Sequence, residues 1–193
     1  MGGNKVLVID DTVHSPLIAI EHLFCKRRCQ KYIEWIEEKE KERVQYIGVH
    51  RDLADAAWEK LKDCAPQNVK YDGHRYELVG LSDYVTVSKH VSKPIGIHRD
   101  EEGRNLFHGK FYRDYVCLYK VAVYLNDVSD PDDPEDITGG TTFYDEDRQK
   151  ILTIKPRPGR AVIFDLRELH SGAPIPKGRT KYMLGFRLMY TRV

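Results

Sequence analysis

From Tyr76 onward the chain is written in short runs rich in Val, Ile, Tyr and Phe, separated by clusters of Gly, Pro and Asp. No other feature constrains the fold as much. β-Branched and aromatic residues suit a pleated, half-buried surface, and Gly, Pro and Asp end each run in a turn. The runs predict strands at 76–79, 84–91, 95–98, 115–126, 151–155, 161–165 and 181–191. About seven strands with no helix between them point to a sandwich or a jelly-roll barrel.

The segment before them has a helical period. Ser15-Pro16 opens a stretch to about Arg43 in which Ile18, Ile20, Leu23, Phe24, Tyr32, Ile33 and Ile36 recur near helical spacing, ending in the charged run Glu37 to Arg43. A second helix is expected from Asp52, which is placed to cap it, through Ala56, Ala57, Trp58 and Leu61. At 193 residues the chain suits one domain, 1–193, with a helical part over about 1–70 and a β core over about 76–193. The acidic run DVSDPDDPEDIT, after Asn126, is too polar for a core. It reads as a surface loop, either idle or a lid over a site.

Composition narrows the function classes. Hydrophobic residues at 41% and charged residues at 32% describe an ordinary globular chain. No apolar run reaches the roughly 18 residues of a spanning helix, so no membrane role is indicated. A net charge of +1, with acids and bases interleaved, gives no sign of a nucleic-acid partner. The start, MGGNKVLVID, lacks a signal-peptide pattern, and Val6 stands where N-myristoylation asks for Ser or Thr. A cytoplasmic location is the expectation. Cys25, Cys29, Cys64 and Cys117 are too scattered for a disulfide framework, and Cys25 with Cys29 supplies only half of a zinc site.

Metal chemistry has a clearer signal. In a strand, residues i and i+2 face the same way, so a His-x-Asp fragment aims an imidazole and a carboxylate at one point. Chance supplies about 0.7 such pairs in a chain of this composition, and two are present, His50-Arg51-Asp52 and His98-Arg99-Asp100. Asp52 is accounted for as a helix cap, so the first pair reads as structural. The second ends the run Pro94-Ile95-Gly96-Ile97 in the strand-rich half, where a barrel wall carries both side chains inward. His170, after the strand Ala161 to Asp165 and before the turn Ser171-Gly172-Ala173-Pro174, is the best third ligand. Two imidazoles and one carboxylate on a face of an octahedral ion leave open positions, as in non-haem iron oxygenases.

Longer blocks extend the signal: YKVAVYLNDV from Tyr119, then GGTTFYDE, then LTIKPRPGRAVIFD, then LHSGAPIPKGRTKYML. Over about residues 76 to 190 they resemble, in order, the 2-oxoglutarate and iron(II) dioxygenase superfamily, in particular its prolyl-4-hydroxylase-like branch. The resemblance implies a mainly β chain with N-terminal helices around a double-stranded β-helix (jelly-roll, cupin-like) core. It implies iron(II) on His98, Asp100 and His170. It also implies 2-oxoglutarate as co-substrate, dioxygen as oxidant and ascorbate as a support of activity.

A buried dianion needs a cation. The family's usual position for it falls on Thr180, between Arg179 and Lys181. Lys181 is favoured, because Lys181, Tyr182, Leu184, Met189 and Tyr190 match the family's strand; Arg179 is the alternative. Tyr124 matches a position that helps to hold the same carboxylate, and Lys120, sharing its strand face with Ala122 and Tyr124, is a competing cation. The chain departs from the pattern at Lys89 and His90, where relatives often carry Tyr, and at Gly185 and Arg187. Arg187 shares parity with Lys181 and is a candidate substrate contact. The implied activity is hydroxylation of a C–H bond, with a prolyl residue of a peptide or protein as leading substrate. The alternatives are a free amino acid or other small molecule, or a jelly roll that binds a metal or ligand without turnover.

Overall fold

The computed structural model describes residues 6–9, 15–39, 45–91, 93–100, 106–107, 110–111, 114–130, 132–133 and 135–193. Its organising element is a twelve-residue strand at the C-terminus, Lys181–Arg192, in which Tyr182, Leu184, Phe186, Leu188 and Tyr190 alternate with Lys181, Met183, Gly185 and Arg187. Numbered along the chain, the strands are β1 (Val6–Ile9), β2 (Leu17–Ile20), β3 (Gln45–Val49), β4 (Asn68–Tyr71), β5 (His74–Leu81), β6 (Tyr84–His90), β7 (Ile95–His98) and β8 (Leu106–Phe107). They continue as β9 (Lys110–Phe111), β10 (Tyr115–Tyr124), β11 (Thr141–Tyr144), β12 (Lys150–Ile154), β13 (Ala161–Asp165), β14 (Leu169–Gly172) and β15 (Lys181–Arg192). Two helices, α1 (Lys26–Lys39) and α2 (Arg51–Leu61), complete the described elements.

β15 pairs with β10 along one edge, while its other edge is shared end to end by β6 and β5. β6 takes Lys181 to Gly185, and β5 takes Leu188 to Arg192. Continuing outward, β10 carries β13, β2 and β1, β6 carries β3, and β5 carries β4, giving a nine-stranded antiparallel sheet. A second sheet runs β12-β11-β14-β7, and β8 pairs with β9 alone. Apolar residues of both larger sheets, Ala122, Tyr124, Val162 and Phe164 from one and Phe143 and Ile154 from the other, pack together in one cluster. The sheets therefore face each other, as in the double-stranded β-helix.

Strand alternation divides the labour. The outward residues of the large sheet, including Val85, Val87, Val121, Val123, Leu184 and Phe186, are buried with Phe24 and the helix residues Ile36, Leu53, Ala57 and Leu61. Burying such a side chain contributes roughly 1.5–3 kcal/mol, which fixes the helices to that face. Polar ties add direction: Glu37 of α1 accepts a hydrogen bond from Tyr182 and pairs with Lys89 at 2.7 Å. The inward residues of the same strands are left to line the space between the sheets.

The structure changes the expected N-terminal part. Leu17–Ile20 is a strand, where the sequence predicts helix from Ser15-Pro16. A four-residue apolar run fits either period, and pairing with β1 on one side and β13 on the other decides it. α1 begins only at Lys26, and the charged end expected over 40–43 lies outside the described residues. Helix α2 begins at Arg51, with His50 at the cap position making no side-chain capping bond and Asp52 inside the first turn, so Asp52 is not the cap. His50 instead packs edge-on against Trp35 at 5.0 Å and meets the Tyr46 hydroxyl at 3.2 Å.

Gly159, in the turn before β13, has φ +80°, and a Cβ there would lie 1.9 Å from the Phe24 carbonyl oxygen. Gly73, in the β4–β5 turn, has φ +76° and open space around it. In urea unfolding, Gly73→Ala is expected to cost only the left-handed backbone penalty of about 1 kcal/mol. Gly159→Ala adds the steric clash and is expected to cost a further 1–3 kcal/mol or so.

Candidate metal centre

His98 ends β7 and His170 lies in β14, and the two are directly opposite in the register of the small sheet. Their rings stand 4.3 Å apart. Asp100 follows β7 by two residues, and its backbone N–H is tied to Leu166 O at 3.2 Å, which turns the carboxylate back over the rings. One donor atom from each of His98, Asp100 and His170 lies within 4.8 Å of the others. His98 Nε2 is 3.8 Å from Asp100 Oδ1, and His170 Nε2 is 3.6 Å from Asp100 Oδ2. These separations are too long for hydrogen bonds, yet short enough for all three donors to sit about 2 Å from one ion.

The tautomers follow from the partners. His98 Nδ1 is 2.9 Å from Gly96 O, and His170 Nδ1 is 2.9 Å from Glu168 O. A carbonyl only accepts, so each Nδ1 carries the proton and each Nε2 presents a lone pair toward Asp100. This backbone anchoring is the arrangement in which metal-ligating histidines are held. Burial pushes the His170 imidazole down to about 4, so it is neutral at pH 7, the form that ligates. For Asp100, burial works upward but is outweighed by Lys120 and the two imidazoles, and the carboxyl is held below its usual range. The donor set fits a divalent ion bound on one face.

The triad opens into a cavity of about 210 Å³ between the sheets. Its floor is the inward face of the large sheet. Lys120 and Ala122 come from β10, Thr86, Ser88 and His90 from β6, and Lys181, Met183 and Gly185 from β15. Lys181 is 3% exposed and donates to Gly139 O at 2.6 Å, with its ammonium 5.5 Å over the Tyr124 ring. Gly139 has φ +68°, and a Cβ there would lie 2.3 Å from Val128 Cγ2, so glycine alone fits the turn whose carbonyl receives Lys181. Burial, then repulsion from Lys120, lowers the Lys181 amine to about 8. Tyr124 is fully buried and donates to Thr141 Oγ1 at 2.6 Å; burial raises its phenol to about 12, so it stays neutral.

The other sequence candidates go elsewhere. Arg179 donates to the carbonyls of Val128 and Ser129, at 2.9 and 2.7 Å, and does not line the cavity. It clamps the acidic loop. Within that loop Asp127, Asp130, Asp133 and Asp136 each accept a backbone N–H two residues on. Positions 131 and 134 lie outside the described residues, and no described residue of 127–136 lines the cavity. Arg187 lies opposite Lys120 in the β10–β15 register, half-buried and outside the lining.

Lys120 faces the cavity as strand parity predicts, with Nζ 2.7 Å from Asp100 Oδ2. Thr86, Ser88 and Thr141 were not singled out from the sequence. The first two share parity with His90 on β6, and Thr141 sits inside the GGTTF block, so both signals were present.

A family model described as the 2OG-Fe(II) oxygenase superfamily matches residues 86–186, more than half of the chain. No curated protein sequence matches. Among solved structures, the chain is similar to the viral collagen prolyl hydroxylase of Paramecium bursaria Chlorella virus-1, at TM-score 0.58 and 16% identity over 91% of this chain and 90% of that one. It is similar to the prolyl hydroxylase of Trichoplax adhaerens solved with a hypoxia inducible factor peptide fragment, at TM-score 0.61 and 13% identity over 89% and 82%. It is also similar to HygX of Streptomyces hygroscopicus with iron bound, at TM-score 0.57 and 13% identity over 91% and 81%. At these identities the likeness is one of fold. The family match is of another kind, because it runs through β6, β7, β10, β14 and the start of β15, the strands that build the cavity; the chain belongs to the 2OG-Fe(II) oxygenase superfamily and is a 2-oxoglutarate-dependent iron(II) oxygenase.

Proposed function

We propose that the enzyme hydroxylates a prolyl residue of a peptide or protein, with His98, Asp100 and His170 holding iron(II) and Lys181 holding the distal carboxylate of 2-oxoglutarate. The observation that carries the metal assignment is the trio of donor atoms within 4.8 Å, with both imidazole Nδ1 atoms committed to backbone carbonyls. Bound iron(II) and 2-oxoglutarate supply, with dioxygen, the oxidant for the C–H bond while 2-oxoglutarate becomes succinate and carbon dioxide. The chain's own part is orientation and exclusion of water. Phe164, Ile95 and Met183 make the wall apolar, and the neutral His170 keeps its lone pair available without a proton to lose.

The choice between cations rests on reach. A keto acid chelated at the metal carries its distal carboxylate three C–C bonds of about 1.5 Å beyond the keto carbon. Lys120, in contact with a proposed metal ligand, stands too near the ion for that role, and Arg179 is engaged by the loop carbonyls. Lys181 lies deeper, and swinging its ammonium from Gly139 O, with Thr141 alongside, supplies a charge-assisted site. Tyr124 acts behind it, holding Thr141.

The prolyl substrate draws its support from the prolyl hydroxylases among the similar folds. A small-molecule substrate is the second reading, favoured by a cavity of about 210 Å³, below the usual span for ligand pockets. Ascorbate supports activity by keeping the metal reduced. No helix among the described residues is long and apolar enough to cross a membrane. A reducing cytoplasm suits iron(II) and four cysteines that form no disulfide.

Purified protein with iron(II), ascorbate, air and 2-oxoglutarate is expected to form succinate, and Asp100→Ala to lower the rate at least about hundredfold through lost metal. Unchanged turnover in that variant would remove Asp100 from the metal. Lys181→Ala is expected to raise the 2-oxoglutarate requirement by about thirtyfold or more, as for the loss of a buried charged partner. The wild-type requirement should also rise with pH. Below about 8 the Lys181 amine is protonated and binds the dianion; above it, affinity is expected to fall about tenfold per pH unit. That alkaline limb is absent in Lys181→Ala, and a wild type whose 2-oxoglutarate KM is flat to pH 10 contradicts the assignment. Prolyl peptides incubated with the enzyme and weighed by mass spectrometry should gain one oxygen.

A further inference from the structure

Lys120 is the charged group in the cavity that the proposed chemistry leaves over. Its side chain is 27% exposed, its ammonium lies 2.7 Å from Asp100 Oδ2 and 5.8 Å from the centre of the Phe164 ring, and it faces the same space as Lys181. The inference rests on the metal and 2-oxoglutarate assignment above. In that assignment the dipositive ion, the Asp100 carboxylate, the 2-oxoglutarate dianion and the Lys181 ammonium sum to zero. Lys120 then adds one positive charge that no described residue lining the cavity balances, since Asp100 is the only acid among them. His90, the remaining titratable neighbour, is pushed down to about 4, chiefly by burial and then by the two lysines, and contributes no charge at pH 7. An unbalanced cation beside apolar walls is costly unless an anion arrives with the ligand.

The geometry points to a carboxylate on the substrate as the partner of Lys120, placed a few atoms from the C–H bond that is oxidised. Because Lys120 touches Asp100, its anion would lie beside the residues that hold the metal and so beside the reacting centre. The same carboxylate chemistry has two sources: the free acid of an amino acid, or an acidic side chain next to the reacting residue of a peptide.

The test compares each carboxylate with its amide. Free L-amino acids, L-proline first, are set beside their amides, and proline peptides with a neighbouring Asp beside the same peptides with Asn. Substrate-stimulated succinate and one-oxygen mass gain are read as kcat/KM for the wild type and for Lys120→Met. The wild type is expected to prefer a carboxylate over its amide by about tenfold or more, as for a charge-assisted hydrogen bond, and Lys120→Met to bring that ratio to near one. The arm that responds names the source. Equal use of acid and amide by the wild type overturns the inference, as does a preference that survives in Lys120→Met, or the absence of stimulation in both arms by an enzyme that turns over 2-oxoglutarate alone. The visible absorption of the iron(II)–2-oxoglutarate chelate separates the remaining cases. A wild type with neither chelate nor succinate fails at the oxygenase assignment itself, and the inference falls with it. A chelate present in the wild type but lost in Lys120→Met makes Lys120 a support of Asp100 instead.

Discussion

The antiparallel pair between Tyr115–Tyr124 and Lys181–Arg192 is the constraint on which the rest depends. Side chains alternate strictly across a sheet, so one register decides at once which residues meet the helices and which meet the cavity. With Tyr124 opposite Met183 and Lys120 opposite Arg187, the outward set is Val121, Val123, Leu184, Phe186 and Leu188, which the helical layer buries. The inward set holds Lys120, Tyr124 and Lys181. A slip of β15 by one residue would turn Lys181 under the helices and Phe186 into the cavity, so the apolar packing behind the sheet enforces the polar arrangement in front of it. The bulge at Cys117 and Tyr119 adjusts the pair without breaking that division.

Electrostatics on the inner face are asymmetric. Among the described residues one carboxylate, Asp100, lines a space shared with two lysines and two imidazoles pushed toward neutrality by burial. Lys120 pairs with Asp100 and Lys181 donates to the Gly139 carbonyl, so each cation has a partner at hand. Such provisional partners keep the desolvation of a buried charge tolerable while leaving it able to change hands.

Much of this was legible in the chain. Period-two runs located the main strands of the core, and the blocks around His98, Asp100 and His170 that resemble the superfamily marked the cluster where spacing alone could not. Strand parity put Lys120 beside Tyr124 on the inner face. Short strands were less legible. Leu17–Ile20 carries a helical spacing by accident, and Thr141–Tyr144 sits between glycines and acids, so only pairing with distant partners makes either one a strand. The Asp52 cap failed because first-turn acids and caps look alike when a helix start can move by one residue. Arg179 and Lys181 were equal by spacing. The difference, a turn carbonyl pair that engages one and not the other, is long-range and has no local trace.

The acidic segment inherits a consequence from those same two residues. Arg179 grips it at Val128 and Ser129, and Lys181 grips it at Gly139, so bases two positions apart fasten both of its ends to the mouth of one strand. In polymer terms the segment is a closed loop, whose ordering entropy grows only slowly with length, about 0.6 kcal/mol per doubling. Its span is therefore free to vary in sequence and length at little thermodynamic cost, provided that the two knots at its base are kept.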